Sequence, residues 1–265
     1  MNIFMREIRA NSKSLIIWCL AMIFVVISGM AKFSAMGTSG GATNQLLNQM
    51  PVSLKALLGL GTFDLSKVSG YYGILFVYVL LMATIHGATL GANIISKEER
   101  DKTTEFLLVK PVSRNRIITE KLLASLVNIV ILNVVTLVSS LLVVKSFNTL
   151  EAVNKGIIML MIEMFIMQIL FFSIGTAISV IIKKSKSATN YVISLLVVTY
   201  LLSVIININN KLFNLKFLTP FKYFDTTELL YGKGFNVVFL ILSILIIVIG
   251  LSLTYVFYKN RDLNV

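Results

Sequence analysis

Six apolar runs of about 18 residues or more, separated by short polar stretches, recur along this 265-residue chain. A run of that size is what a hydrocarbon core about 30 Å thick requires at about 1.5 Å per helical residue. Only helices and closed barrels satisfy their backbone polar groups in lipid, and barrel strands would show roughly ten-residue alternation instead. The sequence therefore predicts an all-α fold, a polytopic membrane helical bundle in a single domain, with spans at about 15–36, 70–95, 122–144, 156–182, 188–208 and 235–258. Composition agrees, at 57% hydrophobic and 14% charged, against about 45–50% and about 25% for soluble domains.

The segments between the runs give the organisation. Residues 1–14 interleave Ile3, Phe4 and Ile8 with Arg6, Glu7, Arg9 and Lys13, and read as an amphipathic helix lying on the membrane surface and leading into span one. No small-residue cleavage site follows Ser28-Gly29-Met30, so the first run is read as a retained span rather than a signal peptide. Gly37 to Gly41 break the chain, and 42–69, with Pro51, Gly59 and Gly61, reads as an external segment holding a short helix around Leu54, Leu57 and Leu58. Residues 96–121 carry seven basic and five acidic residues and cannot cross a membrane. Residues 209–234, broken by Pro220, read as a second amphipathic external stretch.

Orientation follows from the basic residues. Fifteen of the 24 Lys and Arg lie in the N-terminus, 96–121, 183–187 and the C-terminal tail. Both termini are therefore expected in the cytoplasm, in a cell membrane of bacterial type. A net charge of +12 would point to nucleic acid in a soluble protein, but here the cations flank apolar spans, where they set topology and meet anionic headgroups, so no nucleic-acid partner is expected. The single cysteine, Cys19, sits in an apolar run and supports no disulfide framework.

The chain contains no G-x-x-x-x-G-K-[ST] phosphate loop, and Gly59-Leu60-Gly61 lacks the lysine such a loop needs. With one histidine, it offers no Ser/His/Asp, H-E-x-x-H or Cys/His set, so neither a catalytic nor a metal site is assigned. Two ionisable residues fall inside spans, His86 in the second and Glu163 in the fourth. Such a group costs about 2.5–3.5 kcal/mol on insertion scales and should face protein or water. Each is either a contact in a substrate or proton pathway or an interhelical hydrogen-bonding group. At 100° per residue Ser125, Asn128, Asn133, Thr136, Ser139 and Ser140 fall on one face of span three. Gln168, Gly175, Thr176 and Ser179 cluster on one face of span four, with Glu163 nearly opposite. These stripes either line an aqueous path or join helices. Ala83, Gly87 and Gly91 form a small-xxx-small ridge for close helix packing, within the bundle or across a dimer.

The stretch from Ser96 to Ile117 places an acidic cluster before T-x-E-F-L-L and then P-V-S-R. It resembles the coupling segment of the ABC type 2 permease family. Met50-Pro51 to Gly59 followed by Gly70-Tyr71, Thr219 to Phe224, and the terminal Arg261 to Val265 resemble other parts of that family, so the likeness spans the chain. Lys102 stands where many members carry glycine. The resemblance implies the permease subunit of an ABC exporter, paired with a second permease chain, the same or a paralogue. It implies a coupling helix between spans two and three docked on separate ABC ATPase subunits, which hold the ATP and magnesium; no cofactor is expected in this chain, which is not itself an enzyme. Glu98, Glu99, Arg100, Thr103, Glu105, Phe106, Pro111 and Arg114 would couple to the ATPase, while His86, Asn128, Asn133, Thr136, Glu163 and Gln168 remain candidate pathway or interhelical polar residues. Without a substrate-binding domain or tether, export is the expected direction, with amphipathic or antimicrobial peptides or antibiotics as cargo. The rival readings are a membrane-embedded enzyme using Glu163 or His86, and a non-transporting immunity or scaffold protein.

Overall fold

The computed structural model describes residues 3–36, 49–57, 63–65, 67–100, 112–147, 153–182 and 185–259. In chain order its helices are α1 (Ile3–Met36), α2 (Val52–Leu57), α3 (Val68–Arg100), α4 (Arg114–Lys145), α5 (Asn154–Ile181), α6 (Ser185–Ile208), α7 (Thr226–Leu230) and α8 (Val237–Lys259). Two 3-10 helices, Asn210–Leu218 and Pro220–Lys222, lie between α6 and α7. No strand occurs among the described residues. Six helices, α1, α3, α4, α5, α6 and α8, are long and apolar enough to cross a membrane.

The helices overrun the apolar runs at both ends of the second and third spans. α3 continues to Arg100, and α4 begins at Arg114, so residues 114–121 of the charged stretch 96–121 are the first two turns of a membrane helix. The cause is local: Ser113 Oγ caps the helix by accepting from Arg116 N–H at 3.4 Å, and no glycine or proline interrupts 114–145. α1 differs similarly. Residues 3–14 are not set apart as an interfacial helix but are the first turns of one helix reaching Met36, since the first glycine comes only at Gly29. Ile3 packs with Ile117 and Val112, and Glu7 is buried, so this end docks on the start of α4.

α3 and α5 share the most extensive helix pairing and are the most buried of the six spans. α1 packs chiefly on α4, α6 on α3, and α8 on α5. The main core cluster draws on Met22, Tyr72, Phe76, Leu132, Leu160 and Phe171. Ile16, Ile17, Leu20 and Phe24 of α1, and Val237, Val238, Ile241 and Val248 of α8, point outward and are exposed. Ser, Thr, Asn, Gln, His and Glu side chains are meanwhile found buried within, the distribution that lipid as solvent imposes.

Candidate functional site

The small-residue ridge of α3 sets the geometry of the interior. A Cβ on Gly91 would lie 2.3 Å from the carbonyl oxygen of Phe172, and one on Gly175 would lie 2.6 Å from that of Ala88. Both distances are shorter than atoms allow, so α3 and α5 meet backbone to backbone. The ridge is thus used within the bundle. Ser179 Oγ adds a bond across the same seam to the carbonyl of Ala92, at 2.8 Å.

This approach brings His86 of α3 against Gln168 of α5. Gln168 Nε2 donates to His86 Nδ1 at 2.7 Å, which leaves the ring proton on Nε2. Asn133 of α4 donates from Nδ2 to Gln168 Oε1 at 2.6 Å and to the carbonyl of Ile129 at 2.9 Å. Trp18 of α1 meets the imidazole edge to face, with ring centroids 5.3 Å apart. Four helices thus converge on one polar chain. Asn128 and Thr136 are also buried, but each bonds back to its own helix, at Ala124 and Leu132. Of the α4 stripe, then, Asn133 reaches another helix, while Ser125 and Ser139 likewise bond carbonyls of α4.

Glu163 lies apart from this chain. It is 2% exposed, and its Oε2 has no hydrogen-bond partner among the described residues. It stands nine residues into α5, about 14 Å from the helix start.

The connection between α6 and α8 folds back into the bundle. Thr219 Oγ1 donates to the carbonyl of Thr199 at 2.7 Å. Thr199 sits nine residues before the end of α6, again about 14 Å inward. Pro220 opens the second 3-10 turn and is buried; Phe221 packs 5.4 Å from both Phe171 and Tyr200, and Tyr223 stacks on Phe239. Tyr223 Oη donates to the carbonyl of Phe217, so the dip is braced internally. Irregular backbone at such depth is tolerated where protein covers it. Lys222 bonds Asn207 Oδ1, and burial pushes its ammonium below its ordinary value, opposed by Asp225. Asp225 itself caps α7, its Oδ1 accepting from the N–H groups of Thr227 and Glu228. The sequence reading of 209–234 as an external stretch did not include this dip.

At the opposite end the first turns of α4 form a polar hub. Arg114 donates to the carbonyl of Lys259 in α8 at 3.0 Å, and the Thr119 and Tyr255 hydroxyls share a bond of 2.8 Å. Glu120 Oε2 accepts from the N–H of Phe4 at the start of α1, while its Oε1 pairs with Arg116. Lys121 is fully buried and donates to the carbonyl of Ile94 in α3 at 2.8 Å. Charge counting had placed Lys121 in a solvated segment, although it lies four residues before Ser125, on the polar stripe that continues into α4. That spacing was the available signal. Of the proposed coupling residues, Glu98, Glu99 and Arg100 belong to the last turn of α3, whereas Thr103, Glu105, Phe106 and Pro111 lie outside the described residues.

Six membrane-length helices around a polar interior define a polytopic α-helical membrane protein. The family model described as ABC-2 family transporter protein matches residues 1–263, and the chain belongs to that family. No curated protein matches it. It is a permease-type transport component, of a family that works in general with an ABC ATPase and normally carries no ATPase of its own.

Proposed function

We propose that this chain is the permease subunit of an ATP-driven exporter in a bacterial cell membrane. With a second permease chain and separate ATPase subunits, it moves an amphipathic or antimicrobial peptide, or an antibiotic, out of the cell. Both termini and 96–121 face the cytoplasm. The observation that carries the reading is the polar hub of α4. The acidic T-x-E-F-L-L…P-V-S-R segment runs directly into the two turns whose side chains bond α1, α3 and α8. A push on that segment is passed to three helices at once.

The test is recruitment. Glu98, Glu99 and Glu105 are assigned to a basic groove on the ATPase, where removing one partner of a desolvated charge pair costs about 2–5 kcal/mol. An exposed pair would be worth only about 0–1 kcal/mol. Glu99→Lys with Glu105→Lys should therefore lose co-purification of the partner ABC ATPase and abolish substrate-stimulated hydrolysis, with membrane insertion unchanged. Full recruitment and normal stimulation in the double reversal would end the coupling assignment.

A further inference from the structure

The first 3-10 helix, Asn210–Leu218, lies at the edge of the bilayer. It follows α6, whose apolar stretch Ser187–Ile208 has 22 residues, about 33 Å at about 1.5 Å per residue, against a hydrocarbon core of about 30 Å. Asn209, which caps the segment by accepting from the N–H of Lys211, therefore stands where hydrocarbon gives way to headgroups. The far end of the segment marks the same level, since Phe217 packs 5.4 Å from Phe239, the third residue of α8. Only beyond Leu218 does the chain turn inward, at Thr219.

The segment turns apolar side chains outward. Leu212 and Leu215, on one edge at the three-residue period of a 3-10 helix, are half-buried, whereas Phe213, Phe217 and Leu218 are 54%, 50% and 65% exposed. They adjoin the exposed Ile205 and Ile208 of α6 and Val237 and Val238 of α8, so the apolar surface that lipid covers continues onto the segment. Its charge is of one sign, because residues 209–224 hold three lysines and no acid. Lys222 is engaged by Asn207, but Lys211 and Lys216 form no ion pair among the described residues. The Lys216 ammonium instead lies 4.0 Å from the ring centroid of Phe213 and 5.6 Å from that of Phe217. The next acids along the chain are occupied, Asp225 as the cap of α7 and Glu228 by Lys233. Two ammoniums without a counter-charge thus stand beside rings that face the acyl chains.

We propose that Asn210–Leu218 is a binding site for an acidic phospholipid. Phe213, Phe217 and Leu218 lie among its acyl chains, and the Lys211 and Lys216 ammoniums take its phosphate. A zwitterionic lipid brings its own cation and gains less from the two lysines, so the site selects headgroups of net negative charge. Attraction to an acidic membrane surface is on the order of five-fold per lysine. The site is set in advance: Asn209 fixes the start of the segment, and Tyr223 Oη donates to the carbonyl of Phe217 at 2.7 Å, so little ordering is needed on binding. The lipid would hold the connection between α6 and α8 at the membrane boundary, just where it turns inward. The site requires that the chain span a bilayer and is independent of the direction of transport and of which end faces the cytoplasm.

The test uses the full-length chain with Trp18→Phe, which removes its one tryptophan, and Phe213→Trp as the reporter, since tryptophan keeps a ring beside Lys216. The protein is placed in nanodiscs of phosphatidylcholine with a minor share of lipid brominated near the top of its acyl chains, either phosphatidylglycerol or phosphatidylcholine. Bromine quenches tryptophan on contact. Brominated phosphatidylglycerol should quench several-fold more than brominated phosphatidylcholine at the same share. That preference should shrink several-fold at about 1 M salt, where the Debye length is about 3 Å. It should vanish in Lys211→Gln with Lys216→Gln, with quenching by brominated phosphatidylcholine unchanged because the segment stays seated. The first two arms need no lysine variant, and Leu218→Trp serves as a second reporter with the same expectations. Equal quenching by the two lipids before the lysines are changed would overturn the site, leaving an apolar contact without headgroup recognition. A preference that survives loss of both lysines would also overturn it, since a net charge of +12 attracts acidic lipid in general and loses little when two charges go. Quenching by neither lipid would mean that protein, such as a second copy of this chain, covers the face, and would overturn it too.

Discussion

The ammonium of Lys121 donates to the carbonyl oxygen of Ile94 across 2.8 Å, with the lysine side chain fully buried between α4 and α3. These are the helices on either side of residues 101–113, so the bond fixes their spacing at this end of the bundle. Lys121→Met retains most of the stem and removes the charge. Hydrogen bonds to charged groups are worth about 1.5–3 kcal/mol, and thermal unfolding in detergent should register a loss of that size. Unchanged melting would mean that desolvating the ammonium cancels the bond.

The Asn133 to Gln168 contact makes a different prediction. Double-mutant cycles in membrane proteins give about 0.6 kcal/mol for such a bond on average and about 1.7 at most. A cycle of Asn133→Leu and Gln168→Leu should show coupling in that range, whereas Asn128→Leu with Gln168→Leu should be additive, because Asn128 bonds Ala124 of its own helix. Coupling in both cycles, or in neither, would contradict this arrangement.

Gly91→Leu would drive a side chain into the carbonyl of Phe172. Overpacking of this kind typically costs about 1–3 kcal/mol and more where backbone must move. The variant should express poorly or elute as aggregate in size-exclusion chromatography. Gly29→Ala meets only the flexible end of Leu75 and should behave nearly as the wild type.

Orientation is checked by single cysteines. A cysteine at position 216 should react with an impermeant reagent in intact cells, and one at position 110 only after the membrane is opened, as the Lys and Arg asymmetry requires. The reverse pattern would invert the topology.

The six spans were legible because length and continuity of apolar residues are local properties, and the α4 stripe was legible because angular position on a helix is also local. What escaped the sequence was depth. Residues 209–234 read as an amphipathic external stretch broken by Pro220, and nothing in their composition says that Thr219 reaches Thr199. Glu7 read as part of a surface helix and Lys121 as part of a charged segment outside the membrane for the same reason, since neighbours in sequence do not reveal what packs over them. His86 and Glu163 were indistinguishable until α5 supplied Gln168 to one of them and left the other with an unpartnered buried oxygen among the described residues.

Gly91 and Gly175 bring α3 and α5 into contact at the level of the main chain. Helices that touch through side chains slide past one another by rotamer changes, but a seam of carbonyl against Cα has no such freedom. The pair therefore travels as one rigid keel. Any rearrangement of the bundle must then leave that seam intact.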